Sequence, residues 1–265
     1  MSKRLVFPVL AASLSLPLSA CQEGTKETNS PGEEEEAAEW SYEGNSGPEY
    51  WGELDSDYST CVDGREQSPI NIEFSDVSQD EELESIDINY QPAAYTLVHN
   101  GHTIQAENSI EYNNIIVNDT EYTLDHFHFH TPSEHLFNEE HYEMEMHLVH
   151  ENEKGETAVL GVMIQEGETN EELSAAWNNL PASESREEVA INDPIDLQAL
   201  LPQKNTTFHY NGSLTTPPCS EEVEWIIYKQ PIAMSQEQIK DFQEIFPDNH
   251  RHEQDLNERE VIENK

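Results

Sequence analysis

Basic residues are scarce in this chain. Its 265 residues include 12 Lys and Arg against 55 Asp and Glu, which gives a formal net charge of −43. A surface this acidic repels the phosphates of nucleic acids and of anionic lipid headgroups, so the sequence argues against binding to either. The acidity is either ordinary surface solvation or an adaptation to a salty or alkaline habitat, where carboxylates keep the surface hydrated.

Long apolar runs are also lacking. The apolar segment 5–20 follows Lys3 and Arg4 and is too short to span a bilayer as a helix. It ends in Leu18-Ser19-Ala20-Cys21. This pattern predicts a lipoprotein-type signal peptide over residues 1–20, with Cys21 acylated as the first mature residue. The alternative is an ordinary secretory signal cut near Ala20, with Cys21 incidental.

Either signal predicts export. An acylated Cys21 would anchor the protein outside the cytoplasmic membrane or in a periplasm, and without acylation the protein would be secreted. Residues 21–39, which include the run Glu33 to Glu36, contain almost no apolar side chains and predict an acidic flexible tether. Residues 40–265 are then expected to form one domain.

Cysteine is rare as well, with three in the chain. If Cys21 carries lipid, Cys61 and Cys219 remain, and an oxidising exterior favours a disulfide between them. Two free buried thiols are the alternative.

Strand patterns dominate the remaining sequence. Alternating apolar and polar residues predict strands over 85–90, 95–100, 103–107, 114–117, 122–130, 142–150, 158–165, 208–212 and 224–228. Two capping-box patterns, Thr169-x-x-Glu172 and Ser235-x-x-Gln238, each precede apolar residues at helical spacing. Many strands and few helices predict a mainly β protein with a large, mostly antiparallel sheet and short helices.

One segment, Asp125-His126-Phe127-His128-Phe129-His130, alternates histidine and phenylalanine. Because a strand has period two, the histidines share one face. In a second segment, 143–150, His147 shares a face with Glu145 and Val149. Two such strands side by side would supply three nitrogen ligands and leave a fourth position open, as in a catalytic zinc site. Spacing alone leaves the choice among His126, His128 and His130 open.

These segments, together with Ser213-Leu214-Thr215-Thr216-Pro217-Pro218, resemble the α-class carbonic anhydrases. More motifs match in the same order: Trp40-Ser41-Tyr42, Gly47-Pro48-Glu49-Tyr50-Trp51, Gln67-Ser68-Pro69-Ile70-Asn71-Ile72, Asn100-Gly101-His102, Ser133-Glu134-His135, Val159-Leu160-Gly161, Trp225-Ile226-Ile227 and Asn249-His250-Arg251. The resemblance covers the chain from Trp40 to about Arg251. It implies a single domain built on the large twisted central sheet of that family.

The resemblance implies an enzyme that hydrates CO2 reversibly to bicarbonate and a proton. In it His128, His130 and His147 would bind Zn²⁺, and zinc-bound hydroxide would attack CO2. Thr215 and Glu134 match the pair that orients this hydroxide. The residues that match the CO2 pocket and the bicarbonate contact are Val149, Val159, Leu214, Trp225 and Thr216.

His102 resembles the family's proton shuttle, and imidazole suits proton relay near neutral pH. The residues that match the positions ordering the connecting waters are Tyr42, Asn100 and Gln105. Glu145 fits as the acceptor for the second N–H of His147. The family usually has glutamine where this chain has His126, which changes the partner of His128. His126 would either accept the N–H of His128 through its neutral ring nitrogen or become charged at low pH and weaken the site, with a second bound metal as a minor alternative.

Two other function classes stay open. A zinc-capturing lipoprotein would also be exported and histidine-bearing, but it would need ligands from two lobes and no pairing of Thr215 with Glu134. An inactive relative serving as a binding module would be marked by loss of a zinc histidine, and this chain keeps all three. The sequence gives no oligomeric state.

Overall fold

The computed structural model describes residues 38–80, 86–108, 110, 112–183 and 188–264. The signal peptide, Cys21 and most of the tether predicted above therefore lie outside the described residues. The strands are β1 Asn71–Ile72, β2 Ser78–Gln79, β3 Asp87–Asn89, β4 Ala93–His99, β5 Ile104–Asn108, β6 Asn114–Val117, β7 Thr120–His130, β8 Leu136–Phe137, β9 Met144–Glu151, β10 Thr157–Glu166, β11 Val189–Ile195, β12 Thr207–Ser213, β13 Glu221–Met234 and β14 Ile262–Glu263.

The helices are short. They are α1 Trp51–Leu54, α2 Thr60–Asp63, α3 Ser174–Trp177, α4 Leu197–Leu200 and α5 Gln236–Ile245, with two 3-10 turns at Gly44–Ser46 and Ser56–Tyr58. Within the described residues, none of the helices is both long and apolar enough to cross a membrane.

A twelve-stranded sheet forms the centre of the domain. Its strand order is β11-β4-β5-β7-β9-β10-β13-β12-β14-β2, and β6 pairs with both β7 and β3. Most neighbouring strands are antiparallel, whereas β10–β13 and β14–β2 are parallel. The prediction of a mainly β domain on a large, mostly antiparallel sheet is confirmed, and the parallel pairs make that sheet a mixed one.

The period-two pattern of β7 and β9 divides the sheet into two faces. Phe127 and Phe129 of β7 pack in the larger apolar core with Met146 and Leu148 of β9. Helix α5 covers this core with Ile239 and other apolar side chains. The histidines of β7 therefore point to the opposite face, as the alternation predicts.

A second apolar cluster lies on that opposite face. It includes Val159 of β10, Phe208 of β12 and Trp225 of β13. The parallel register places Val159 directly beside Trp225, so two strands far apart in the sequence supply one apolar wall. Partly buried Val149 and Leu214 pack against the same cluster.

The helix start predicted at Ser235 is confirmed. Ser235 caps α5, and its hydroxyl accepts from Gln238 N while the Gln238 side chain accepts from Ser235 N. The prediction of a capped helix from Thr169 is wrong, because α3 begins only at Ser174 and has no side-chain cap. The backbone of Asn170 instead pairs with the Gln238 amide, at 2.9 Å in both directions. This tertiary contact takes the place of the local capping pattern.

Strand bounds shift by a few residues from the predictions. The strand expected over 142–150 begins at Met144, and the strand expected over 224–228 extends to Glu221–Met234. Strand β11 was not predicted, because Asn192-Asp193-Pro194 interrupts its apolar pattern. The pairing with β4 skips the same residues, between Ile191 and Ile195.

Candidate active site

Three histidines converge on one face of paired strands. The register sets His128 of β7 opposite His147 of β9. One ring nitrogen from each of His128, His130 and His147 lies within 4.8 Å of the others. The three side chains line a cavity of about 240 Å³. Spacing alone left His126 as a possible ligand, but the convergent set excludes it.

Two of the three imidazoles have fixed tautomers. His130 Nδ1 lies 2.7 Å from Asn249 O, and His147 Nε2 lies 2.9 Å from Glu145 Oε1. Because these oxygens only accept, both nitrogens carry the proton, and His130 Nε2 and His147 Nδ1 keep their lone pairs. Burial lowers the pKa of His130 to about 4 and also lowers the pKa of His147. Both rings are therefore neutral near pH 7, the form that binds metal.

A metal ion fits this cluster. His130 Nε2 is fully buried and has no hydrogen-bond partner among the described residues. A buried ring nitrogen without a partner is costly unless something else binds its lone pair. Three neutral imidazole donors are the ligand set that suits zinc at a catalytic site.

His128 lacks the partner predicted for it. Its Nδ1 is buried and makes no hydrogen bond within the described residues, so the expectation that His126 accepts this N–H is wrong. His126 Nδ1 lies instead 2.8 Å from Asp125 Oδ2. The His126 and His128 rings stand side by side, with centroids 5.1 Å apart at 28°. Neighbours on one strand face stack rather than point at each other, and a carboxylate is the stronger acceptor.

Glu145 is the hub of a buried network. Its Oε1 accepts from His135 Nδ1 and from His147 Nε2, and its Oε2 accepts the backbone N–H groups of Glu134 and His135. Burial alone would raise the pKa of Glu145, but His135 and His147 outweigh it and hold the pKa well below its usual value. The carboxylate stays ionised and fixes the orientation of His147. The other ring nitrogen of His135 is also satisfied, because Nε2 lies 2.6 Å from Tyr210 Oη.

Glu134 is fully buried beside the histidines. Its Oε1 accepts the backbone N–H of Arg251 at 2.8 Å, and its Oε2 lies 3.5 Å from His130 Nε2. Burial raises the pKa of Glu134, while His147, the Arg251 N–H and the Thr215 hydroxyl oppose that shift. Oε2 makes no hydrogen bond of standard geometry among the described residues. This oxygen is the acceptor that remains for the Thr215 hydroxyl.

The predicted CO2-pocket residues come together on the cavity wall. Val149 and Val159 are directly paired across β9 and β10, and Trp225 neighbours Val159 on β13. All three line the cavity with Leu214 and Thr216. The Trp225 indole N–H donates to Ser213 O at 2.9 Å, which fixes the ring so that it presents an apolar surface to the histidines.

His102 also lines the cavity. Its ring stacks on Trp40, with centroids 3.5 Å apart at 8°. Asn100 Oδ1 accepts from the backbone N–H groups of His102 and Thr103, so its carbonyl oxygen shapes the turn that presents His102. Gly101 has φ +94°, which favours glycine there.

Tyr42 and Gln105, predicted to order water, both line the cavity. The Tyr42 hydroxyl is buried without a hydrogen bond in the described part of the chain. Burial raises the pKa of Tyr42 well above its usual value, and Glu134 and Asp248 add to the shift. The hydroxyl is therefore neutral and keeps its proton for donation.

The disulfide between Cys61 and Cys219 is confirmed, with an S–S distance of 2.07 Å. Cys219 closes the turn that begins after Thr215, because its N–H donates to Thr216 O at 2.9 Å. The bridge packs in a small apolar cluster with Trp51 and Tyr58. Such a bond is compatible with an extracytoplasmic protein.

Sequence reasoning gave no role to three residues that shape the site. Asn249 O accepts a hydrogen bond from His130, and the Arg251 N–H donates one to Glu134. The Trp40 ring stacks on His102. Asn249 also donates its amide to His102 O and Phe129 O. The motif Asn249-His250-Arg251 was the available signal, but these are long-range contacts that no local pattern reports.

Comparison with known proteins identifies the family. The family model described as "Eukaryotic-type carbonic anhydrase" matches residues 46–265. A carbonic anhydrase of Klebsiella pneumoniae is 44% identical over 229 residues, which cover 86% of this chain and 92% of that protein. A carbonic anhydrase of Nostoc sp. is 40% identical and covers 84% and 85% respectively.

A solved structure supports the same family. The α-carbonic anhydrase of Thermovibrio ammonificans, in complex with the inhibitor sulfanilamide, superposes with a TM-score of 0.82 at 40% identity and covers 85% of this chain and 99% of that one. The match includes the mixed central sheet that carries the histidines. This chain therefore belongs to the α-class carbonic anhydrases and is a carbonic anhydrase enzyme.

Proposed function

We propose that this enzyme catalyses the reversible hydration of CO2 to bicarbonate and a proton with a zinc ion held by His128, His130 and His147. One observation supports the proposal most directly: the three imidazoles converge in a cavity that Thr215 and apolar side chains also line, and the buried Glu134 carboxylate lies beside them. A zinc-capturing or purely binding protein would need the histidines alone. The neighbouring hydroxyl, carboxylate and apolar wall are what catalysis adds.

When bound, the zinc ion supplies a positive charge that lowers the pKa of a water molecule, an effect for which carbonic anhydrases are the standard example. The protein prepares this site in two ways. Neutral imidazoles leave the full charge of the ion available. Glu145 and Asn249 O hold His147 and His130 in the tautomers that expose a lone pair to the cluster.

Thr215 orients the nucleophile. The Glu134 carboxylate is fixed by the Arg251 N–H through Oε1 and offers only Oε2 to the Thr215 hydroxyl. A hydroxyl has one proton, so once Thr215 donates to Glu134 its oxygen acts as an acceptor. It then accepts a hydrogen bond from the attacking oxygen and directs that oxygen's free lone pair toward the substrate.

CO2 binds on the apolar wall. Val149, Val159 and Trp225 present hydrocarbon and aromatic surface to a weakly polar substrate and exclude competing water. Bicarbonate is charged and gains nothing from that wall. The backbone N–H of Thr216 or Thr215 is a suitable donor to the product before water displaces it.

Each turnover must move a proton from the site to solvent. His102 is suited to relay it, because imidazole takes up and releases protons near neutral pH. Its stack on Trp40 holds the ring at the cavity wall. The Tyr42 hydroxyl and the Gln105 amide, which line the same cavity, would order the water molecules that connect the two ends.

The same proposal includes anchoring outside the cell. It rests on the signal-like N-terminus and Cys21, with the lipid on Cys21 as the only membrane contact and the acidic segment 21–39 as the tether. The disulfide is consistent with export. Mass spectrometry of the protein from its native membrane would detect the lipid, and an unmodified Cys21 in the mature protein would refute the anchor.

Stopped-flow CO2 hydration tests the catalytic proposal. The zinc-loaded protein should be active, a chelator should abolish the rate, and added zinc should restore it. His128→Ala should lose both zinc and rate, whereas His252→Ala, a substitution at an exposed histidine, should lose neither. Thr215→Val should keep zinc and lose rate. Zinc-loaded but inactive wild-type protein would contradict the proposal and favour a binding protein.

A further inference from the structure

A second pair of histidines lies outside the catalytic cavity. His141 follows β8 and is exposed, and His250 follows α5 with a side chain 21% exposed. Their rings are 5.4 Å apart between centroids and cross at 77°. In the catalytic triad the three ring pairs are separated by 4.7, 4.9 and 5.2 Å and cross at 48–89°. The outer pair thus nearly matches the spacing and crossing of rings that converge on a metal ion.

In both outer rings Nδ1 makes a hydrogen bond. His141 Nδ1 lies 2.7 Å from Ser133 O, and His250 Nδ1 lies 2.6 Å from Asp248 Oδ1. A backbone carbonyl and a carboxylate only accept, so each neutral ring carries its proton on Nδ1. The lone pairs are on the two Nε2 atoms, for which the described residues provide no hydrogen-bond partner. Metal-binding histidines usually have this arrangement, with one N–H fixed by an acceptor.

The surroundings favour a cation. Asp248, Glu49 and the exposed His252 line a surface pocket together with His250, and the chain as a whole carries a formal net charge of −43. A negative surface raises the local concentration of divalent cations. Imidazole nitrogen selects borderline transition metals such as Zn²⁺ and Cu²⁺ over Mg²⁺ or Ca²⁺, which prefer oxygen.

We propose that His141 and His250 form a second metal site, which binds one Zn²⁺ or Cu²⁺ ion through their Nε2 atoms, with water completing the coordination. The proposed site is adjacent in sequence to residues that support the catalytic centre. His250 lies between Asn249, which holds His130, and Arg251, which holds Glu134. An ion at His250 is therefore one residue away from both supports of the catalytic site.

Copper binding to the zinc-loaded enzyme tests the proposal. Equilibrium dialysis against Cu²⁺ should add one copper per chain while elemental analysis shows the catalytic zinc retained. The electron paramagnetic resonance spectrum should show coupling to imidazole nitrogens. Because Cu²⁺ binds nitrogen ligands more tightly than Zn²⁺, only a large excess of Zn²⁺ should displace the copper. Copper that shows only oxygen ligands is held by surface carboxylates and would overturn the proposal.

Variants identify the ligands. His141→Ala and His250→Ala should each lose the additional copper, and Asp248→Asn should weaken its binding by about tenfold or more, as loss of an orienting acceptor does. His252 lines the same surface pocket as His250, so His252→Ala tests whether this third histidine is a ligand. The assigned pair predicts that the variant binds copper as the wild type does. Circular dichroism checks folding, and the exposed position of His141 keeps the test decisive if His250→Ala unfolds. Retention of the nitrogen-coupled copper in His141→Ala, or its loss in His252→Ala, would refute the assigned pair.

Discussion

Replacing Cys61 and Cys219 with serine should destabilise the enzyme strongly. The bond joins residues 158 apart in the sequence. In the chain-entropy treatment, closing a loop of that length removes roughly 5 kcal/mol of unfolded-state freedom, and this value is an upper bound on the loss. A domain is typically stable by about 5–15 kcal/mol, so the variant should unfold at much lower urea concentration.

The bond also fixes part of the active site. Cys219 N–H donates to Thr216 O, Gln67 Nε2 donates to Cys219 O, and Arg251 Nη2 donates to Cys61 O. The turn that carries Thr215 and Thr216 is thereby attached to the segment that supports Glu134. We expect the variant to lose CO2-hydration rate by more than it loses zinc, because none of the three histidine ligands lies in that turn.

Urea unfolding at fixed ionic strength, followed by tryptophan fluorescence, measures the stability change. Oxidised wild type, wild type with a reducing agent, and the double serine variant form the comparison. The reduced wild type should resemble the variant, and the reducing agent should not affect the variant. If the variant and the oxidised wild type differ by less than about 1 kcal/mol, the entropic assignment is wrong, since that is far below the loop-closure value.

Three further predictions use other parts of the structure. His102→Ala should keep zinc but become dependent on buffer concentration, and an unchanged buffer response in stopped-flow assays would reject its relay role. His209 is buried against Thr207 and its pKa is lowered to about 4 by burial. As pH falls from 6.5 to 4 the unfolded chain takes up a proton that the folded protein does not, which removes up to about 3 kcal/mol of stability. His209→Gln should lack that part of the pH dependence in urea titrations, and identical slopes would refute it. Finally, the melting temperature should rise from low to molar salt as self-repulsion between carboxylates is screened, and a flat response would contradict salt adaptation.

Short-range sequence patterns predicted the strand faces of β7 and β9 and the start of α5. The alternation in β7 and β9 predicted which side chains share a face, and His128 and His147 are indeed opposite each other. The capping box at Ser235 predicted the start of α5 for the same reason. Both patterns are read within a few residues, and in these two segments no distant contact replaces the local structure.

Distant contacts explain the predictions that were wrong. Asn170 pairs with the side chain of Gln238, and this contact replaces the helix start expected at Thr169. The carboxylate of Asp125 takes the Nδ1–H of His126, which leaves His128 without the expected acceptor. The family resemblance identified the changed residue, but only the arrangement of neighbouring side chains shows which acceptor it uses.

Two of the groups that orient site residues come from one short segment after α5. Asn249 O fixes the tautomer of His130, and the Arg251 N–H occupies one oxygen of Glu134. The guanidinium of Arg251 is itself buried and donates to Gln67 Oε1, Ser68 O and Cys61 O. A buried charge requires such partners, because an unpaired one would be costly. Arg251 thus holds in place the segment whose Asn249 O and Arg251 N–H orient a proposed metal ligand and the proposed acceptor of the Thr215 hydroxyl. Metal binding and nucleophile orientation are therefore both expected to depend on how this one segment packs against distant parts of the chain.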